Sequence, residues 1–149
     1  MTARERLERI VGLFAEAPRE VRLHALLDYS RRLPELPPWL AANPEVMERV
    51  HECQTPFSLA VEISSGDAVH LYFQVPAESP TVRGYAGILH EALDGAQAPE
   101  ILEVPSDFYM RMGLEEAVSS LRLRGMGAIV ARLKDQVRAG LESSSGVMT

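Results

Sequence analysis

The single cysteine of the chain, Cys53, lies among polar residues that could influence its chemistry. His51 and Glu52 precede it, and Gln54 follows it. Pro56 keeps the residue before it out of the helical region, so this segment is predicted to be a turn. A free cysteine usually acts as a small buried apolar side chain, whereas one in a polar loop is a candidate for reactivity. A packing role and a chemical role therefore both stay open.

Three kinds of chemistry use a single cysteine. A hydrolase pairs the thiol with a histidine base, for which His24, His51, His70 and His90 are available. A thiol peroxidase needs a lowered thiol pKa and a partner that resolves the sulfenic acid. A sulfur-relay protein takes the terminal sulfur of a persulfide on another protein by thiol exchange. The sulfur relay has the fewest requirements of the three, because it needs one cysteine on a docking loop and no second thiol.

Composition excludes several classes of protein. The formal net charge of −6 disfavours nucleic-acid binding, which depends on lysines and arginines that neutralise phosphates. One cysteine excludes an internal disulfide or a zinc site made of several thiolates. No apolar run approaches the ~20 residues that cross a bilayer, so no membrane association is expected. The charged N-terminus does not resemble a secretory signal, which predicts a cytoplasmic protein.

The elements that would position Cys53 begin with two amphipathic helices. Apolar residues at helical spacing predict the first over residues 4–15. A second is predicted from about Arg19 to Arg32, after a proline suited to a first helical turn. The stretch from Leu33 to Asn43 is predicted to be a stiff connector anchored by Trp39. Closely spaced prolines at 34, 37, 38 and 44 exclude a long helix or a central strand there.

A β-hairpin is predicted directly after Cys53. Apolar and polar residues alternate over residues 57–63 and again over 69–75, with a turn at Gly66 and Asp67 between them. One face of the hairpin is almost entirely apolar, so helices should cover one side of it. A third strand is expected because a lone hairpin is marginal in water. The segment from Glu45 to His51 could supply that strand or could be helical.

Helices return in the C-terminal part of the chain. Ser79 and Pro80 are a typical N-cap and first helical residue, and short helical turns are predicted near Pro99 and Phe108. A last long helix is predicted to end at Gly140, followed by a disordered tail over 141–149. The chain is thus predicted to be one domain over 1–140. Its class is α+β, with a small antiparallel sheet of about three strands covered by helices on one side.

Four segments, taken together, resemble the SufE family of sulfur-acceptor proteins in iron–sulfur cluster assembly. They are "RRLPEL" (31–36), "CQT" (53–55), "TVRGYAGIL" (81–89) and "LRLRGMGAIV" (121–130). Their order and spacing also resemble those of the family, and the match covers residues ~5 to ~138. The resemblance implies a fold shared with IscU-type scaffold proteins, with Cys53 on a loop near one end of the sheet.

The resemblance also implies a set of supporting residues. Cys53 matches the persulfide acceptor and Gln54 the glutamine after it, and His51 and Glu52 are the neighbours able to affect the thiol. Arg122 matches an arginine ahead of the last helix. The residues that would support Cys53 or bind a partner are thus His51, Glu52, Gln54, Glu78, Arg122 and Arg124. Arg122 and Arg124 are expected to precede the last helix, whose N-terminal end favours anions.

Two departures from the family pattern concern charge. Family members usually place glycine before the cysteine, where this chain has Glu52, so backbone freedom is reduced and a negative charge lies beside the thiol. The usual serine–aspartate pair ahead of the third helix is replaced by Ala77 and Glu78, which makes Glu78 a substitute for the aspartate. The sequence alone does not determine the pKa of Cys53.

The implied function is sulfur transfer. A SufS-type cysteine desulfurase, which carries the pyridoxal phosphate, would pass persulfide sulfur to Cys53, and the chain would hand it to the SufBCD complex. This chain would then be an accessory protein without a cofactor of its own, and a monomer or weak homodimer. The alternatives are a desulfurase-binding adaptor without sulfur chemistry and, from another class, a cysteine-dependent hydrolase or peroxidase.

Overall fold

The computed structural model describes residues 1–116 and 118–147, and its elements follow the expected order of helices, sheet and helices. The first two are α1 (Ala3–Glu16) and α2 (Arg19–Arg32). Each is close to its predicted bounds. The apolar residues at helical spacing in α1, which are Leu7, Ile10, Val11 and Phe14, are buried, as expected for a helix with one face on the core, whereas Leu13 is exposed.

The proline-rich connector carries only short helical segments, as predicted. These are α3 (Pro38–Ala41) and a 3-10 turn (Pro44–Val46). The anchor, however, is the fully buried Leu40, whereas Trp39 is 47% exposed. The prediction that Trp39 anchors the connector is wrong, because the indole only meets the edge of Tyr72, with ring centroids 5.7 Å apart at the sheet surface.

A three-stranded antiparallel sheet follows, in the order β1, β2, β3. Its strands are β1 (Glu48–Arg49), β2 (Ser58–Ile63) and β3 (Val69–Gln74). The predicted hairpin and third strand are both confirmed. The turn between β2 and β3 contains Gly66 and Asp67 at φ +89° and +62°, a left-handed conformation that suits these residue types.

The long helices lie on one side of this sheet, where α6 contacts β2 and α4 contacts β3. That side carries the alternating apolar residues predicted to be buried, and it forms the main core. The other side carries a small separate cluster, made of Leu36, Leu40, Met47, Ala60 and Tyr72. The connector thus shields part of the face that the sequence predicts to be polar.

The C-terminal part consists of helices of very different length. The first, α4 (Pro80–Leu93), begins at the predicted proline. It is followed by α5 (Ala98–Leu102) and by 3-10 turns at Phe108–Arg111 and Leu114–Glu116. The last element, α6 (Ser120–Val147), is the longest helix. The α+β class and the predicted turns near Pro99 and Phe108 are confirmed.

The last helix does not end at Gly140, because α6 is continuous to Val147. A Cβ at Gly140 would lie 2.7 Å from Cδ1 of Ile63. This glycine therefore permits close packing of α6 on β2, and it does not act as a helix stop. The disorder expected over 141–149 stays a prediction, and residues 148 and 149 lie outside the described residues.

The closest helix packing in the molecule joins α2 and α4. A Cβ at Gly84 would overlap the backbone of Leu26, and one at Gly87 would overlap the backbone of Tyr29. Both glycines therefore allow the two helix backbones to approach.

Within the described residues, no helix is both long enough and apolar enough to span a membrane.

Candidate functional site: the Cys53 loop

Cys53 lies in the connection between β1 and β2, which we call the Cys53 loop (residues 51–56). The loop is closed at its base, where the Val50 amide donates to the Phe57 carbonyl at 2.8 Å. The Cys53 amide donates to the Val50 carbonyl at 3.1 Å, so Cys53 is the last residue of a tight turn. The predicted turn at the entry to the sheet is confirmed. It fixes the backbone position from which the Cys53 side chain extends.

The Cys53 side chain points towards the start of α6. A Cβ at Gly125 would lie 2.9 Å from the Cys53 Sγ atom, so the absent side chain at 125 leaves the space that the sulfur occupies. Cys53 is half-buried and packs against the main core. The thiol is consequently less accessible than its polar neighbours in sequence suggest.

Aromatic side chains lie behind Gly125. Tyr85 is fully buried and stacks on Phe108, with centroids 5.6 Å apart, and its hydroxyl donates to the Met126 carbonyl at 3.2 Å. A Cβ at Gly127 would lie 3.2 Å from the hydroxyl oxygen of Tyr109. The pKa of Tyr85 lies well above its usual value because of burial first, with further contributions from Tyr109 and Cys53. The surroundings of the thiol are therefore apolar and poorly hydrated.

These surroundings determine the ionisation of the thiol. Burial, and secondarily the Glu52 charge, raise the pKa of Cys53 from 9.0 to about 11. At neutral pH the thiol is therefore almost entirely protonated in the isolated chain. Thiolate is the nucleophilic form, so the chain on its own holds a weakly reactive cysteine.

The Glu52 carboxylate is paired with an arginine of α6. Arg132 Nη2 donates to the two Glu52 carboxylate oxygens at 3.1 and 3.0 Å, and its Nη1 donates to Glu48 Oε2 at 2.8 Å. The other Glu48 oxygen accepts from the Gln136 amide at 2.8 Å. One arginine thus joins β1 and the Cys53 loop to the same helix.

The pairing with Arg132 reduces the effect that the Glu52 charge has on Cys53. The hydrogen bonds from Arg132 are the main cause that lowers the pKa of Glu52 below 4.5. The carboxylate is consequently ionised at neutral pH, but a guanidinium compensates much of its charge. The negative charge beside Cys53 is smaller than the sequence alone implies.

The structure brings only part of the predicted set together. His51 and Gln54 lie on the Cys53 loop with exposed side chains, and Glu78 is exposed between β3 and α4. Arg122 and Arg124 are exposed within the first turns of α6, near Gly125 along the chain. The expectation that these arginines precede the helix is wrong, because Ser119 begins it by accepting from the Arg122 amide at 3.3 Å.

Sequence reasoning missed residues of β1, α4 and α6 that surround the Cys53 loop. Glu48, Tyr85, Gly125 and Arg132 all shape the surroundings of Cys53. Two glycines close together within a helix, Gly125 and Gly127, were the available signal, because they indicate a close approach by another group. No signal in the sequence pairs Arg132 with Glu52, since 80 residues separate them.

Over residues 1–116 and 118–147, no three or more His, Cys, Asp or Glu side chains form a group suited to a metal ion. A groove of ≈ 530 Å³ lies between α1 and α2, lined by residues from both helices and not by Cys53. The chemistry available at Cys53 is therefore that of a partly covered thiol on a surface loop.

Comparisons with known proteins identify relatives of this chain. Residues 8–137 match the family model "SufE: Fe-S metabolism associated domain". The chain is 46% identical over 132 residues to uncharacterized SufE-like proteins of two Mycobacterium tuberculosis strains, covering 89% of this chain and 91% of each relative. A SufE-like protein of Rhizobium meliloti is 27% identical over 139 residues, covering 91% of this chain and 96% of the relative.

A solved structure resembles the whole fold. The solution structure of a hypothetical protein from Thermus thermophilus has a TM-score of 0.82 and 44% sequence identity, covering 95% of this chain and 99% of that one. The family description associates such domains with Fe–S metabolism. The family match spans nearly all the described elements, and the chain belongs to the SufE family.

Proposed function

We propose that the protein is a sulfur acceptor that takes persulfide sulfur onto Cys53 from a SufS-type cysteine desulfurase. The observation that carries the proposal is the placement of the only cysteine in a SufE-family chain. It lies on a loop at the sheet end, held against α6 and covered only in part. A packing cysteine would be fully enclosed, whereas a half-buried thiol on a loop can be reached by a partner.

The proposed step is a thiol exchange. The Cys53 thiolate attacks the outer sulfur of the desulfurase persulfide, and a new S–S bond forms at Cys53 as the old one breaks. The desulfurase cysteine leaves as a thiolate and takes up the proton that Cys53 lost, while the transferred sulfur keeps the proton that it carried in the donor persulfide. No net oxidation or reduction occurs, so no further reactant is needed.

We expect the loop to move during this step. Sγ already fills the space above Gly125, so an added sulfur atom has no room on that side. The raised pKa of about 11 also keeps the thiol protonated until its surroundings change. We expect docking on the desulfurase to draw the loop away from α6, which would make room for the added sulfur and favour the thiolate.

The further proposals concern partners. The chain would stimulate desulfurase turnover by removing the persulfide, and would pass the sulfur to the SufBCD assembly complex. The pyridoxal phosphate that releases sulfur from cysteine would belong to the desulfurase, and this chain would need no cofactor. The proposed compartment is the cytoplasm, where thiols are kept reduced as a lone acceptor cysteine requires.

Mass spectrometry of the intact protein tests the transfer. After incubation with a SufS-type desulfurase and free cysteine, the wild type should gain one sulfur atom that a reductant removes. Cys53→Ser should gain none and should lose the stimulation of turnover. A wild type that gains no mass with the desulfurase from its own organism would contradict the proposal.

An adaptor without sulfur chemistry is a second candidate, favoured by the high thiol pKa in the isolated chain. An adaptor would bind and stimulate the desulfurase through its surface alone. Cys53→Ser separates the two functions, because stimulation that survives this substitution unchanged would support the adaptor. Turnover of esters or peroxide without a partner would instead indicate a cysteine-dependent enzyme.

A further inference from the structure

We propose that Arg132 is the positioning residue of the Cys53 loop: it holds Glu48 and Glu52 on α6 and so keeps the thiol against Gly125. Its functional meaning rests on the proposed sulfur-acceptor role of Cys53, since the same contacts would determine when the thiol becomes available to a partner. The contacts themselves do not depend on that role.

The first observation is the number of contacts that one side chain makes. Arg132 reaches Glu48 at 2.8 Å and both oxygens of Glu52 at 3.0 and 3.1 Å. The planar guanidinium suits such a fork, because it donates in fixed directions to two carboxylates at once. Its side chain is 32% exposed, so it is neither buried in the core nor free in solvent.

The second observation is where these carboxylates lie along the chain. Glu48 is in β1, and its other oxygen is held by Gln136, one helical turn beyond Arg132 on the same face of α6. Glu52 is in the turn itself, directly before Cys53. The arginine therefore fixes the strand that leads into the loop and the residue next to the thiol.

The third observation is that α6 holds the loop at two separate points. Gly125 receives the Cys53 sulfur, and Arg132 lies seven residues later on the same helix, which is two turns away along one face. A shift of the loop that takes Sγ away from Gly125 also pulls Glu52 away from Arg132. Loop release and loss of the ion pair are therefore one event.

Hydrogen exchange at the Cys53 amide measures that event directly. This amide is bonded to the Val50 carbonyl within the turn, so its exchange reports how often the turn opens. Arg132→Gln should accelerate its exchange about threefold to tenfold, the size expected from losing two partly exposed ion pairs. Arg138→Gln is the matched control, because Arg138 lies on the same helix and pairs with the exposed Asp135, away from the Cys53 loop.

Two further variants test whether Arg132 acts through its carboxylates. In a Glu48→Gln/Glu52→Gln background, Arg132→Gln should add no further acceleration, because the partners are already lost. Arg132→Lys should restore part of the protection, since it keeps the charge but not the fork of donors. A general structural weakening would give neither result.

Several outcomes would overturn the proposal. Exchange in Arg132→Gln equal to that in Arg138→Gln is one, and an unprotected Cys53 amide in the wild type is another, because the loop would then not be held. A full effect of Arg132→Gln in the Glu48→Gln/Glu52→Gln background is a third. If Arg132→Gln does not fold, Glu52→Gln removes the same contact from the loop and is judged by the same criterion.

The exchange experiment contains no desulfurase. It can therefore contradict the positioning role of Arg132 while Cys53 still accepts sulfur. Equally, a wild type that accepts no sulfur would contradict the proposed function while the exchange results stand.

Discussion

At the scale of single residues, the thiol of Cys53 is governed by two neighbours with opposite effects. Glu52 contributes to the raised pKa of the thiol, and Arg132 compensates part of the Glu52 charge. Burial against α6 is the larger cause of the shift. In the isolated chain, burial against α6 therefore opposes ionisation of Cys53 more strongly than the neighbouring Glu52 does.

The contribution of Glu52 can be measured by removing its charge. Glu52→Gln should lower the pKa of the Cys53 thiol below about 11, because the neutral amide no longer opposes ionisation of the sulfur. At pH 8 the rate of alkylation by iodoacetamide should rise about twofold to fivefold, the range expected for one screened charge. The pH dependence of that rate gives the direction of the shift.

Glu45→Gln is the control for this variant, because it removes an exposed carboxylate outside the Cys53 loop. It should leave the alkylation rate as in the wild type. A Glu52→Gln protein whose alkylation is as slow as the control would show that the carboxylate has no influence on the thiol.

At the scale of elements, the site forms where the Cys53 loop packs closely on α6, which is possible because residue 125 is a glycine. Gly125 gives the space for Sγ, just as Gly84 and Gly87 let α4 approach the backbone of α2. Helix α6 also carries Arg132, so one helix supplies the space for the thiol and the side chain that ties down its loop. The position of α6 therefore determines the exposure of Cys53.

Gly125→Ala tests this close approach. Its Cβ would lie 2.9 Å from Sγ, so the sulfur or the helix must shift, and the free energy of unfolding should fall by about 1–3 kcal/mol. Urea unfolding measures that loss, and alkylation of Cys53 should become faster as the thiol is displaced.

Gly12→Ala is the matched control, because it makes the same change inside α1 with no atom within 4 Å of the added Cβ. It should be neutral or should stabilise the protein by about 0.5–1 kcal/mol, as expected for alanine in a helix. Equal effects of the two substitutions would mean that the contact at Gly125 does not restrict Cys53.

At the scale of the whole molecule, carboxylates join distant parts of the chain. Glu8 of α1 pairs with Arg111 of the 3-10 turn at 2.8 Å. Glu100 of α5 accepts from the Ala3 amide at 3.0 Å, and so holds the start of α1. These bonds lower the pKa values of both carboxyls below 4.5, with the Arg111 hydrogen bond the main cause for Glu8 and the Ala3 bond for Glu100.

These lowered values predict how stability depends on pH. A carboxyl whose folded pKa lies below its unfolded value stabilises the fold above that unfolded value, and the contribution is lost as pH falls through the folded pKa. The thermal midpoint should therefore be nearly constant from neutral pH down to about 5.5 and should decrease below 4.5. A series of thermal unfolding curves recorded at different pH values measures this decrease in the thermal midpoint.

Glu8→Gln should make the decrease in the thermal midpoint below pH 4.5 smaller. It should also lower the free energy of unfolding at neutral pH by about 0.5–1 kcal/mol. Glu16→Gln, an exposed residue of the same helix, is the control and should leave the curve unchanged. An identical decrease in the thermal midpoint at acid pH in Glu8→Gln and the wild type would show that the pair with Arg111 does not contribute to the pH dependence of stability.

Much of the fold followed from local patterns in the sequence. Helical spacing predicted α1 and alternation predicted β2 and β3, because burial on one face follows the period of apolar residues. Prolines predicted the starts of α2 and α4. Gly140 was misread as a helix stop, since its packing against Ile63 is a contact between elements far apart in the chain. A glycine by itself does not reveal which of these two roles it has.

For the site, the sequence by itself determined that Cys53 is the only thiol, that it lies in a turn, and that a carboxylate precedes it. Only the tertiary structure decided that the thiol is half-buried against Gly125 and that Arg132 pairs with Glu52. The physical reason is distance along the chain. Burial and ion pairing depend on which helix packs over the loop, and α6 reaches it from 72 or more residues away.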